Sequence, residues 1–233
     1  MDTTSELFPD EPPGLEQELD ELFDRARGHL RQLGAKCVLR KGRPASGAAV
    51  HRAEAQLGLL LPQQVKDVYL RYRNGVLFRW EQGGDGGRLE LPTVEGLVEQ
   101  YQGWKQSVLP MDGYDFPHVA DPGRARETYA GMKSWLPLVV QGDGDAFCVV
   151  AGPGGHPVVF HRHDWHDGGT GENGHRVAAD LLSFLRDWAG VCFTAPRGLD
   201  WPAAFTAGGV AWTADHFKDK YVIRAVLADR GSP

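Results

Sequence analysis

The run HRHDWHDGG, His161 to Gly169, gathers three histidines and an aspartate and then enters a glycine-rich stretch. On a strand, side chains alternate between faces, so His161 and His163 project together while Arg162 and Asp164 project oppositely. Two same-face imidazoles, joined by His166 beyond the strand's end, would be the donors of a zinc site and would make a metal-dependent hydrolase. Zinc needs three or four ligands with their own supporting partners, and Arg162 beside the cluster disfavours a cation. A solvated strand end accounts for more of the surrounding residues. Val159 and its apolar neighbours face the core, Trp165 seals the sheet's rim, and no metal or other cofactor is expected. His163, Asp164 and Trp165 are then rim residues of the kind that contact a partner.

Other chemistry-bearing stretches resolve similarly. QGDGDAF offers Asp143 and Asp145 but lacks the remaining ligands and terminal glutamate of a calcium loop, so it reads as a tight turn. GGTGENG, Gly168 to Gly174, has no following Lys-Ser or Lys-Thr and is a connection, not a phosphate loop. No GxSxG elbow is present, and Ser134, Ser183 and the cysteines have no identifiable activating base, so no catalytic residue is assigned. Cys37, Cys148 and Cys192 are widely spaced, without metal-ligand or disulfide-framework spacing, which suits a reducing compartment. Cys148, in DAFCVV, reads as a small core residue.

The 233 residues, 42% apolar and 24% charged, suffice to bury a continuous core and carry too little charge for disorder. No run of about 18 apolar residues and no signal peptide is seen, so a cytoplasmic protein without membrane partners is expected. The net charge of −6 is unevenly placed. Nine acidic residues fall within positions 1–24, which hold no lysine or arginine, leaving 25 basic against 22 acidic residues beyond. Overall acidity argues against nucleic-acid binding.

The elements that must position these residues follow from periodicity. Residues 1–13 form an acidic, proline-rich tail, and residues 14–233 are expected to form one domain. Leu15, Leu19, Leu22, Phe23, Ala26, Leu30 and Leu33 predict an amphipathic helix ended by Gly34. Ser46 caps a second helix ended by Gly58. Pro62 opens a third, QQVKDVYLRYR, stopped by Asn74-Gly75. VLFRWEQ and GRLELPT predict a hairpin, and Thr93 caps a helix burying Val94, Leu97, Val98, Tyr101 and Trp104. Residues 106–131 show no clean period. SWLPLVVQ, DAFCVVA and HPVVFHRHD read as antiparallel strands joined by tight turns. A helix is expected over residues 176–189, and YVIRAVL near the C-terminus reads as a strand. Helices, strands and a closing helix give an α+β domain with a mostly antiparallel sheet flanked by helices.

The stretch AEAQLGLLLPQQVKDVYLRYRNG, with Glu54, Leu57-Gly58, Leu61-Pro62, Tyr69 and Asn74-Gly75, resembles the opening signature of the SUKH superfamily in its Smi/Knr-type branch. WLPLVVQGDGDAFCVV, with Trp135-Leu136-Pro137 and Gly142 to Asp145, is similar to the family's central strands. HPVVFHRHDW resembles the strand that follows, and RVAADLLSFL the closing helix. The likeness spans roughly residues 44–190 and rests on order and spacing.

Members of the superfamily are largely bacterial immunity proteins that bind toxins, many of them nucleases or deaminases, while some eukaryotic members are regulatory scaffolds. The resemblance therefore implies stoichiometric protein binding without catalysis, most directly to a cognate toxin domain, and otherwise a scaffold role. Under that reading Glu16, Glu18, Asp20 and Glu21 steer a basic partner, and Trp80, His163, Asp164 and Trp165 contact it.

Overall fold

Helix α1 (Leu15–Gln32) forms where the apolar spacing predicts it, burying Leu19, Leu22, Phe23, Ala26 and Leu30 along one stripe. The computed structural model describes residues 14–108, 121–163, 172–196 and 199–212. Gly34, at φ +79°, ends α1 in a left-handed turn that no bulkier residue adopts so cheaply. The Ala35 N–H donates to Leu30 and the Gly34 N–H to Arg31, satisfying two terminal carbonyls.

A strand that the periodicity did not announce, β1 (Lys36–Lys41), follows directly and pairs antiparallel with β2 (Val76–Gln82). Between them, α2 (Gly47–Leu57) is capped by the Ser46 hydroxyl, which accepts from the Ala49 N–H at 3.2 Å, and stops at Gly58. The expected third helix is shorter in its α form. It runs as α3 (Gln63–Asp67) and then opens into a π-helical turn, Val68–Tyr72, closed by the Arg73 N–H donating to Val68. Glu54 ties α2 to α3, accepting from the Leu61 N–H at 3.0 Å and pairing with Lys66 at 2.7 Å.

β2 and β3 (Asp85–Leu91) form the expected hairpin through Gly83 and Gly84, both at positive φ, the geometry that a two-residue turn requires. Thr93 caps α4 (Val94–Val108), accepting from the Gly96 N–H. The stretch without a clean period contains a second helix, α5 (Pro122–Met132), capped by Asp121. Its three buried residues, Ala125, Tyr129 and Met132, make too thin a stripe to stand out in the sequence.

Strands β4 (Trp135–Val140), β5 (Ala146–Val150), β6 (Val158–His161) and β7 (Arg176–Ala178) form a four-stranded antiparallel sheet in chain order. β7 corrects the expected 176–189 helix. Asp180 accepts from the Ser183 N–H at 2.7 Å, so the helix, α6 (Leu181–Ala189), starts only after that cap. A small pair, β8 (Phe205–Thr206) and β9 (Gly209–Val210), follows, while YVIRAVL lies outside the described residues.

The two larger sheets differ in exposure. One face of β4–β6 packs on the main core with Phe147, Phe160 and Phe184, and the other on a smaller cluster around Trp104, Tyr129, Met132 and Cys148. Both faces are covered, so these strands read as continuous apolar runs. Burial pushes the Cys148 thiol well above its ordinary range, as befits a packing residue. In β1–β3 burial alternates residue by residue, leaving one face of that sheet toward solvent. The architecture is α+β with antiparallel sheets, and among the described residues no helix is long and apolar enough to cross a membrane.

Candidate partner-binding surface

The histidine cluster is divided by the end of its strand. β6 stops at His161, which is 4% exposed and packs its ring 4.6 Å from that of Trp104. One oxygen of the Asp145 carboxylate accepts from the His163 backbone N–H and meets its ring Nδ1, each at 3.0 Å. The His163 side chain, half exposed, therefore lies against the β4–β5 turn, while the His161 ring lies against Trp104. Asp164, Trp165 and His166 lie outside the described residues, among which no group of three metal-donor side chains converges.

The QGDGD stretch is the tight turn expected of it. The Gln141 N–H donates to the Asp145 carbonyl at 2.7 Å, the Asp143 carboxylate accepts from the Asp145 N–H, and Gly144 stands at φ +97°.

The acids of α1 are engaged within the fold. Glu16 pairs with Arg73 at 3.0 Å, Glu18 with Arg186, and Asp20 accepts from Lys41 and from the Tyr72 hydroxyl. Burial alone would raise the Asp20 carboxyl, but these two donors hold it below the usual carboxylate value. Glu21 accepts from Gln17. Three of the four acids thus pair with cations within the fold.

Trp80 requires a correction. It is 1% exposed, and its indole N–H donates to the Cys192 carbonyl at 2.7 Å, so the ring anchors the chain's C-terminal part to β2 instead of meeting a partner. Alternation in β2 places Trp80 inward with Phe78, and Arg79 between them faces out.

That outward face is the most distinctive surface described. Cross-strand register sets Val38 beside Arg79 and Arg79 beside Arg88. Lys36 stands opposite Glu81, and Arg40, Leu77 and Glu90 form the next row. Val38 is 43% exposed. Beyond β3 the surface dips into adjoining depressions between the hairpin, the β4–β5 turn and Ala195, Leu199, Asp200 and Pro202. Val140, also 43% exposed, and Leu199, 40% exposed, line them, and His163 with Asp145 stands at their far end. Three of the four large apolar side chains exposed among the described residues thus border one face.

The segment beside those depressions is strained. Cys192, Phe193 and Leu199 all adopt φ between +52° and +60°, a region costly for non-glycine residues and concentrated at functional sites. Cys192 and Phe193 are held there by contacts with the hairpin, since the Arg88 N–H donates to Phe193 and Gly87 bridges Thr194. Leu199 combines the same conformation with an exposed apolar side chain. The whole surface offers guanidinium donors, carboxylate acceptors and apolar anchors, the groups that recognise another protein.

Sequence reasoning missed this face because β1 went unrecognised. The sequence signal was weak, three apolar residues within KCVLRK, and only the fold sets Lys36, Val38 and Arg40 on one side.

No curated relative matches the chain. Residues 44–187, more than half of the sequence, match the SMI1 / KNR4 family (SUKH-1), and the chain belongs to that family.

Proposed function

We propose that the protein is a non-catalytic protein-binding module, acting in the cytoplasm as an immunity protein that neutralises a toxin domain by stoichiometric binding. Proteins of this family are generally non-enzymatic and either immunity or regulatory proteins, which supports the coarser part of the reading. The observation that carries it is the exposed Val38 beside Arg79, with Val140 and Leu199, also exposed, lining depressions that Arg79 and Arg88 border. Buried aromatic or apolar anchors and arginines contribute most of the energy of such contacts.

Size decides how far a partner must reach. Three strands at about 4.8 Å spacing and some 20 Å long present roughly 300 Å², short of the ~800 Å² that a stable interface takes from each side. A partner seated on Arg79 must therefore extend over the depressions to Leu199 and His163. Occluding a toxin's active site requires such a broad footprint. The packing of His161 on Trp104 and the contact of His163 with Asp145 support a structural role for these two side chains over the hydrolase alternative.

The test is capture of the tagged full-length protein's partners from its source, using wild type and a Val38→Asp/Val140→Asp variant. One partner with a toxin-like domain, retained by the wild type through a high-salt wash and lost by the variant, is the expected result. Equal retention by both proteins would remove this face from the proposal. A set of endogenous partners in place of a toxin would support a regulatory scaffold.

A further inference from the structure

We infer that the partner meets the β1–β3 face with an acidic patch surrounding apolar side chains, its carboxylates bound by Arg79 and Arg88. This deepens the protein-binding reading and rests on it. The outer face of the three strands carries Lys36, Arg40, Arg79 and Arg88 against Glu81 and Glu90, a local basic island bordered by Asp85 at the hairpin and by Asp143, Asp145 and Asp200 in the depressions, on a chain of net charge −6. Arg79 stands directly opposite Arg88, an arrangement that disfavours folding by itself and becomes favourable when carboxylates lie across both. Guanidinium groups suit this because their fixed fork binds a carboxylate through two parallel hydrogen bonds.

The same face argues against a polyphosphate ligand. Glu81 lies 3.6 Å from Arg79, and Glu90 pairs with Arg88, so carboxylates alternate with the arginines at two-residue spacing. A continuous phosphate backbone would meet both acids, whereas a protein can place its own donors opposite them. Val38, Val140 and Leu199 around the charges need an apolar counterpart that nucleic acid offers only poorly. The carboxylate-lined clefts with which hydrolytic toxins hold metal ions have the required character.

The direct test is an NMR titration of the full-length chain with two soluble synthetic helices carrying the same leucine stripe, flanked by glutamates in one and by lysines in the other. A single-stranded oligonucleotide is the third probe. The glutamate helix should shift amides of residues 36–41, 76–82 and 85–91, with affinity falling on added salt. Reversal of charge in Arg79→Glu/Arg88→Glu should weaken it about tenfold or more. Both arginines are more than half exposed, and an unchanged unfolding curve verifies that the variant folds.

Equal or tighter binding of the lysine helix, shifts confined to other elements, or the absence of any shift would overturn the inference. An oligonucleotide that displaces the glutamate helix from this face would overturn it in favour of a nucleic-acid ligand. Val38→Asp separates the two levels. If that variant loses the captured partner while charge reversal keeps it, the protein-binding face stands and the acidic chemistry falls; if neither variant matters, both fall.

Discussion

The ring of Phe23 stacks on that of Phe193, centroids 5.4 Å apart and planes 28° from parallel. Neither residue lies within the family-matched segment 44–187, yet both are about 1% exposed at the centre of the main core. Phe23 also packs on Tyr72 and Phe78, and Glu18 reaches Arg186. The described parts of both flanking segments therefore contribute to the fold's interior.

Phe23→Ala should consequently destabilise the protein by about 3–5 kcal/mol, a large share of the ~5–15 kcal/mol available to a domain. Urea unfolding followed by circular dichroism measures it. A chain cut to residues 44–187 exposes the inner faces of Tyr72, Phe78 and Phe147, which pack on Phe23 and Trp201, and is expected not to fold cooperatively. A sharp two-state transition from that fragment would contradict the role given to the flanks.

Gly87 marks where the hairpin receives the chain's later part. A Cβ there would stand 2.2 Å from Trp80 Nε1 and 2.8 Å from the carbonyl oxygens of Cys192 and Phe193. Gly87→Ala should cost about 1–3 kcal/mol through overpacking and loosen the Trp80 hydrogen bond, visible as altered tryptophan fluorescence. Gly28, inside α1 with open space around it, gives the opposite expectation. Gly28→Ala should stabilise by about 0.5–1 kcal/mol, the conformational entropy that a helical glycine loses.

Glu54 should confer acid sensitivity. Burial raises its carboxyl, but the hydrogen bonds from Lys66 and the Leu61 N–H outweigh this and leave it below the ordinary value of 4.5. A carboxylate depressed in the native state stabilises the fold above its unfolded pKa and loses that contribution as pH falls through the native one. Glu54→Gln should thus cost about 1.5–3 kcal/mol at pH 7, the range for hydrogen bonds to charged groups. The gap from wild type should narrow progressively as pH falls below 4.5. Stability curves for both proteins between neutral pH and pH 2.5 test this; a gap that persists in acid would assign the effect to packing instead of charge.

The elements legible in sequence were those with a strong local signal. The α1 stripe, the Ser46 and Thr93 caps and the Gly83-Gly84 turn each follow from residues within a few positions of one another. β1 escaped because its half-buried pattern places Cys37 and Leu39 inward between charged residues, with too few apolar positions to mark a strand. β7 escaped because Val177 and Ala178 extend the apolar rhythm of α6 across the Asp180 cap. The candidate surface was harder still. Val38, Arg79 and Arg88 become neighbours through cross-strand register, and residue 199 joins them through tertiary packing that no local period encodes. Within the histidine cluster, the strand ends at His161, and the hydrogen bond from the His163 backbone to Asp145 joins residues 18 positions apart that no local period links.

Arg79 and Arg88 give a last expectation, in which stability and binding move apart. Directly opposed like charges on adjacent strands destabilise a sheet by some tenths of a kcal/mol up to about 1, and the flanking Glu81 and Glu90 offset only part of that at these exposed positions. Arg79→Thr removes the repulsion and supplies a β-branched residue suited to a strand. The variant should therefore be as stable as the wild type or up to about 1 kcal/mol more stable, with the difference largest at low salt. Its partner affinity should fall in the same preparation. Thermal unfolding at two salt concentrations, set beside capture of the partner, measures both. A variant that loses stability would show that Arg79 supports the sheet, and its presence opposite Arg88 would then need no partner to explain it.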